Sequence, residues 1–513
     1  MANTFAAIDV GSYELSMKIF EVSARKGMKQ IDHIVRSIDM GTETYATGKL
    51  SPERITELCE TLKEFRKIMK SYKVTEYKAY GTSAIRETVN TTILLSQIKQ
   101  RTGIEIEVLS NSEQRFLDYK SIAFQGEKFE KFIENSTAIY DVGGGSIQIS
   151  LFEKDTLIST QNMKLGVLRM LERMNTLKAS IRQYEDLVGE LAKTQLGTYK
   201  RLYLKDKDID NLIIVDDYIS NILNKGNYGA KSNNTADFET VNEHLKMVKT
   251  MSRTDLAKAL AISEDEIPRL YISLILLQNV MSTTGAKVLW APGVTLCDGI
   301  AYEYAEENGI VSSNHNFEDD IISCAQQISK RYMGSKKRSE TLETIALTIF
   351  DATREYHGLG DRDRLLLQIG ALLHDCGKYI SMANLAECSY NIIMSTEIIG
   401  LSHKERIIIA NMVKYNQQVF EYYQELSEHE SIEKEDHMRI AKLTAILRLS
   451  NGLDRSHKMK FKDVKVSIED DKLLIMVQTD EDISLEKGLF GNRADFFNEV
   501  FNLQPVIKQK KSI

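Results

Sequence analysis

A chain of 513 residues, 42% hydrophobic and with a formal net charge of −7, is too long for one hydrophobic core and is expected to fold as three or four domains. No apolar run reaches 18 residues and no positive-then-apolar leader is present, which argues against a helical membrane span or a signal peptide. Five scattered cysteines, Cys59, Cys297, Cys324, Cys376 and Cys388, fit reduced thiols and a cytoplasmic location, and the acidic balance excludes global attraction for nucleic acid or another polyanion.

In chain order, Ala7-Ile8-Asp9-Val10-Gly11-Ser12 reads as a strand entering a glycine turn, with Leu15, Met17 and Ile19 alternating in the strand that follows. Ser51-Pro52 predicts an N-cap and first helical position, and Ile55, Leu58, Leu62, Phe65, Ile68 and Met69 form one apolar stripe. A strand near Tyr77 to Tyr80 leads into Gly81-Thr82-Ser83-Ala84-Ile85-Arg86, a strand-to-helix junction suited to an anion. Ile104 to Leu109 alternates as a strand, and Ser110 reads as the cap of a helix carrying Glu113 and Gln114.

Ala138-Ile139-Tyr140-Asp141-Val142-Gly143-Gly144-Gly145-Ser146-Ile147-Gln148-Ile149 then repeats the first unit. A carboxylate at a strand end followed by glycines and serine suits a metal-bound phosphate, and two copies predict a duplicated domain with both hairpins facing one cleft. Strands alternating with helices over residues 1 to 300 imply an α/β architecture. From about 320 the pattern becomes long amphipathic helices. Past 460, Val464–Ile468 and Leu473–Val477 predict a hairpin, and Lys508-Gln509-Lys510-Lys511 reads as a solvated terminus.

Together with Lys164-Leu165-Gly166, these motifs resemble the exopolyphosphatase and guanosine-pentaphosphate phosphohydrolase family across essentially the whole chain. Leu372-Leu373-His374-Asp375-Cys376-Gly377-Lys378 and Arg448 to His457 resemble its HD-type helical domain. The resemblance implies a duplicated ribonuclease-H-like fold of the actin and sugar-kinase type, with lobes at 1–132 and 133–308. An all-α HD-type domain at 318–460 and a small α+β segment at 461–513 complete it. It further implies a homodimer that hydrolyses terminal phosphoanhydrides of polyphosphate or guanosine pentaphosphate with magnesium. Asp9 and Asp141 would organise the metal; Gly11, Ser12, Thr82, Ser83, Gly143, Gly144, Gly145 and Ser146 would hold phosphate; Arg86 would neutralise charge.

The sequence departs from the family where the chemistry belongs. The double glutamate after Ser-Gly-x reads Ser110-Asn111-Ser112-Glu113-Gln114, placing the water-activating residue on Gln114, and the carboxylate after the glycine loop falls on Gln148. An amide orients water but accepts no proton, a loss of roughly 10²- to 10⁴-fold in rate. Glu113 points about 100° away from its neighbour on a helix. Tyr13 replaces an asparagine, Asp216-Asp217 stands where a second-lobe phosphate loop belongs, and Cys297-Asp298-Gly299 replaces arginine-glutamate-glycine. In the helical domain Arg338 and Asn451 occupy metal-ligand positions, with Cys388 and Asn416 at places where histidine is frequent. His374 and Asp375 therefore read as a helix-end pair, and His357, His403 and His457 as spare candidates. The expected function is binding or regulation with a weakened hydrolase site; the alternative is an active magnesium-dependent exopolyphosphatase.

Overall fold

Strands β1 (Asn3–Val10), β2 (Glu14–Ser23) and β3 (Gly27–Ser37) run as an antiparallel meander, and β4 (Glu76–Gly81) and β5 (Glu107–Val108) add in parallel beside β1, giving the order β3-β2-β1-β4-β5. Both faces are covered, so successive residues of β1 are buried. Ala6, Ile8 and Val10 pack on Ile55, Leu58, Leu62 and Phe65 of the Pro52–Ser71 helix, while Phe5 and Ala7 face the other side. That helix starts as the sequence predicts, with the Ser51 hydroxyl accepting from the Arg54 N–H at 3.2 Å and proline in the first turn.

The second sheet repeats the first. Strands β6 (Thr137–Val142), β7 (Ile147–Glu153) and β8 (Thr156–Met163) form the meander; β9 (Asn211–Val215) and β11 (Val288–Trp290) add in parallel, and the edge strand β10 (Thr235–Ala236) runs antiparallel to β11. The shared order defines a two-lobed α/β fold with mixed sheets. The Ile267–Thr284 helix is buried on nearly every side, as the apolar run Leu270 to Leu277 requires. This computed structural model describes residues 3–25, 27–224, 234–260, 262–313, 315–425, 432–461 and 463–510.

Three sequence expectations are corrected. The stretch 104–109 is extended as a strand only over Glu107–Val108. The Leu296–Glu307 helix does not belong to the second lobe; Leu296, Ile300, Ala301 and Tyr304 cover Phe5, Ala7 and Phe20 on the back of the first sheet. The terminus is no solvated tail, because Gln504–Lys510 forms β14, parallel to β13 (Lys472–Gln478), which pairs with β12 (Asp463–Glu469). The crossover between β13 and β14 is the Ser484–Phe501 helix, the compact connection available to parallel neighbours.

The chain divides into two compact units, residues 1–317 and 318–513. The second unit therefore holds 461–513 together with the helices Lys336–Ala352, Asp361–Leu373, Leu385–Ser395, His403–Tyr415 and Lys434–Leu453. None of the five cysteines forms a disulfide. Among the described residues no helix is long and apolar enough to cross a membrane.

Candidate functional site

The first unit holds a cavity of about 780 Å³ at the strand ends. The duplicated hairpins create it: Asp9 and Asp141 are the next-to-last residues of β1 and β6, and each strand is followed by the turn that carries the glycines. Gly11, Ser12, Thr82, Ser83, Arg86, Gln114, Gly143, Gly144, Gly145 and Ser146 line this space with both aspartates. Twelve of the fourteen candidate residues are thus brought together.

The second glycine loop is turned by the helix after Gly166. Val167 N–H donates to the Gly143 carbonyl at 3.1 Å, Leu168 and Arg169 N–H to that of Gly144 at 3.0 and 3.1 Å, and the Arg169 side chain to that of Gly145 at 2.8 Å. These bonds satisfy the open N–H groups of a helix start. They also pull the loop carbonyls to one side, and the Gly144 and Gly145 N–H groups have no acceptor among the described residues. Such amides suit phosphate oxygens. The close packing needs glycine, since a Cβ on Gly145 would lie 2.4 Å from the Ser83 hydroxyl and one on Gly166 2.3 Å from the Gly145 carbonyl carbon. Hydroxyls continue the contact, from Ser12 to Tyr45 at 3.0 Å and from Tyr45 to Ser83 at 2.9 Å.

Glu113 and Gln148 are placed elsewhere. Glu113 closes the capping box of the Asn111–Ala123 helix, accepting from the Ser110 N–H at 2.9 Å, and does not line the cavity. Gln148 lies opposite Asp141 in the β6–β7 ladder, 2% exposed, with its side-chain oxygen unpartnered and outside the lining. Gln114 does reach the cavity. Arg86 is anchored beside it, donating to the Leu109 carbonyl at 2.6 Å, to Asn111 at 2.5 Å and to Gln114 at 3.5 Å.

Sequence reading overlooked the residues that dominate the floor. Arg115, 4% exposed, pairs with Asp141 and donates to the Ser146 carbonyl at 3.3 Å. Asp118, one turn along the same helix, lies 4.0 Å from the guanidinium. Burial, followed by the neighbouring Asp141 charge, raises the Asp118 carboxyl well above the carboxylate range. The only sequence signal was an arginine and an aspartate three apart, one turn, on that helix. Lys18 also lines the cavity and pairs with Asp298 at 2.7 Å, which explains the carboxylate in Cys297-Asp298-Gly299. Asp298 further closes the capping box of its own helix through the Thr295 N–H at 2.7 Å.

The two other departures have structural explanations as well. Asp216 accepts from the Ile219 N–H at 2.6 Å and the Ser273 hydroxyl at 2.5 Å, capping the helix after β9; the Asp217 side chain lies outside the described residues. Tyr13 lies under the Arg269 guanidinium, 3.5 Å from its ring centroid, and donates to Asp265 at 3.2 Å, tying the first hairpin to the second lobe. Arg169 makes a second tie, to Glu87 at 2.7 Å.

Magnesium requires an open set of oxygen ligands. Asp141 is instead occupied by Arg115, and among the described residues no group of three or more histidines, cysteines or acids is disposed to hold a metal ion. The Arg115 guanidinium therefore competes with any cation for Asp141.

A comparable guanidinium–carboxylate arrangement is present in the second unit. Arg338 donates to Asp375 at 3.2 Å and Asn451 at 3.1 Å, with Asp454 at 3.6 Å, and Lys378 reaches Asp375 at 3.1 Å. The positions at which the resemblance places ligands, and which the sequence reads as a helix-end pair, do meet, around a guanidinium. His374 donates Nδ1–H to the Ala371 carbonyl at 2.8 Å, and burial pushes its pKa down to about 4. His357 is also structural, bonded to the Phe350 carbonyl and the Leu359 N–H at 2.9 Å each.

The chain is of the two-lobed α/β class with paired glycine hairpins on one cleft, and comparison with known proteins narrows it. Residues 18–307 match the Ppx/GppA phosphatase family, and residues 322–492 match domain III of Ppx/GppA phosphatases. The chain belongs to the Ppx/GppA phosphatase family. It is 19% identical over 496 residues to the guanosine-5'-triphosphate,3'-diphosphate pyrophosphatase of Photobacterium profundum, covering 92% of this chain and 91% of that protein. It is 24% identical over 143 residues to exopolyphosphatase 1 of Mycobacterium tuberculosis, covering 28% of this chain and 40% of that one. A crystal structure of the Aquifex aeolicus family member is 18% identical, with a TM-score of 0.49 over 62% of this chain and 100% of that chain.

Proposed function

We propose that the cleft of the first unit binds the phosphate end of a guanosine polyphosphate or of polyphosphate with slow or no hydrolysis, so that the protein acts in ligand binding or regulation. The observation that carries this reading is the Arg115–Asp141 pair, a fixed guanidinium on the carboxylate to which the resemblance assigns magnesium. Gln114 supplies an amide where a general base is needed, and Gln148 is buried behind Asp141. The oriented Gly144 and Gly145 amides and Arg86 remain suited to phosphate. The ligand class comes from the relatives' names, a guanosine-5'-triphosphate,3'-diphosphate pyrophosphatase and an exopolyphosphatase. The second unit is read on the same lines as an HD-type domain with Arg338 in place of its metal, which the Asp375, Asn451 and Asp454 contacts support. The homodimer belongs to this proposal, and sedimentation tests it.

The test is calorimetry with guanosine pentaphosphate and polyphosphate beside a phosphate-release assay on the native protein and on Gln114→Glu/Gln148→Glu. Binding without release above buffer is expected for the native protein. Magnesium-dependent release by the native protein that is lost in Asp141→Ala overturns the reading in favour of an active exopolyphosphatase. No binding of either ligand removes both.

A further inference from the structure

The second unit contains a cavity of about 500 Å³ whose lining includes neither Arg338 nor Asp375. Three arginines line it: Arg448 from the Lys434–Leu453 helix, Arg455 just beyond that helix, and Arg493 from the Ser484–Phe501 helix. Arg448 donates to the Tyr415 carbonyl at 2.5 Å and to the Gln418 carbonyl, and Arg493 to the carbonyls of Asn416 at 3.2 Å and Arg448 at 3.3 Å. Their hydrogen-bond partners are neutral. Arg455 is exposed. Burial, then the charges of Arg455 and Arg448, push the Arg493 pKa down to about 10, so it remains cationic at neutral pH in an uncompensated positive field. Folding tolerates such a cluster poorly unless something else uses it, because like charges drawn together repel.

The remaining lining is aromatic. Phe420 and Phe496 are buried with ring centroids 4.9 Å apart, Arg448 lies 4.7 Å over the Phe496 ring, and Tyr422 is 45% exposed. Guanidinium forks match phosphate oxygens in pairs. An aromatic wall accepts a flat heterocycle by stacking. The volume lies within the usual range of small-molecule sites, roughly 300 to 1,000 Å³.

We propose that this cavity is a binding site for a nucleoside phosphate, with the phosphates on Arg448, Arg455 and Arg493 and the base against the exposed Tyr422 ring, which the buried Phe420 backs. It is independent of the cleft reading, being built from other residues in the other unit. Asn416 connects it to the buried core: its side-chain oxygen accepts from Arg493 and from Asn451, each at 3.3 Å, and Asn451 in turn accepts from Arg338.

The test is calorimetry of the full chain with ATP, tripolyphosphate and inorganic phosphate in the presence of EDTA, reading the component of binding that Arg455→Gln removes, since the cleft is itself proposed to take polyphosphate. ATP is expected to bind, tripolyphosphate more weakly by roughly tenfold, since it lacks the stacking ring. Arg455→Gln, an exposed position whose change leaves the packing intact, is expected to weaken ATP by about tenfold or more, the loss of one charge-assisted contact. Tyr422→Ala is expected to reduce the preference for ATP over tripolyphosphate. Arg86→Gln, in the cleft, is expected to leave this binding unchanged. The proposal is overturned by an absence of ATP binding, by ATP affinity that survives Arg455→Gln, by binding that Arg86→Gln abolishes, or by tripolyphosphate binding as tightly as ATP.

Discussion

Arg115 sits at the point where charge, burial and expected chemistry conflict. A buried carboxylate costs several kcal/mol unless paired, and Arg115 pairs Asp141 while burial and the Asp141 charge raise the Asp118 carboxyl well above the carboxylate range. Arg115→Ala is therefore expected to destabilise the first unit by about 3–5 kcal/mol, read from the urea midpoint, because it strands the partner charge. The same variant, freed of its internal cation, is expected to gain unfolding temperature on addition of magnesium. The two glutamines separate by position. Gln114→Glu lies beside Arg86 and is expected to change stability little, whereas Gln148→Glu adds a buried carboxyl opposite Asp141 and is expected to cost about 1–3 kcal/mol. His374 supplies a pH dependence. Its folded pKa, about 4, lies below the unfolded value of about 6.5, so the unfolded chain binds more protons between them. Stability is complete above pH 6.5 and falls as the pH drops toward 4, by on the order of 3 kcal/mol at the acid end. His374→Gln is expected to flatten that part of the profile, measured by denaturation at stepped pH.

At the scale of elements, the local code was easily read and the partners were not. Ser51-Pro52 and Ser110-Asn111-Ser112-Glu113 each carry their cap within four residues, so both helix starts followed from sequence alone. Glu113 shows the limit of that information. One carboxylate fitted both a catalytic motif and a capping box, and only the fold assigned it to the Ser110 N–H. Packing of the Asn111–Ala123 helix on the Leu296–Glu307 helix was equally hidden, although Gly299 marks it: a Cβ there would lie 2.1 Å from the Leu117 carbonyl oxygen. Gly299→Ala is expected to destabilise by about 1–3 kcal/mol through forced separation of the helices. Gly197→Ala, in the Tyr184–Tyr199 helix with nothing within 4 Å, is expected to stabilise by up to about 1 kcal/mol. Chemical denaturation of the pair checks both signs. The end of β14 was read as a tail because Lys508-Gln509-Lys510 is polar and basic; pairing with β13 satisfies its backbone, which periodicity does not report.

For the molecule as a whole, two guanidiniums stand where the resemblance places metals, Arg115 on Asp141 and Arg338 on Asp375. Native unfolding temperature is accordingly expected to be unchanged by EDTA or by magnesium, in contrast to Arg115→Ala, since only a ligand of the folded form shifts it. The sequence by itself determined the duplication, the glycine hairpins, the family and twelve of the residues that meet in the cleft, because glycine turns and strand alternation are local patterns of residue type. Tertiary structure alone decided what Asp141 faces, that Gln148 is buried and that Glu113 is a cap. It alone gathered Arg448, Arg455 and Arg493 around one cavity. Those outcomes depend on which side chains from distant parts of the chain share a low-dielectric space, and sequence spacing carries no record of that distance.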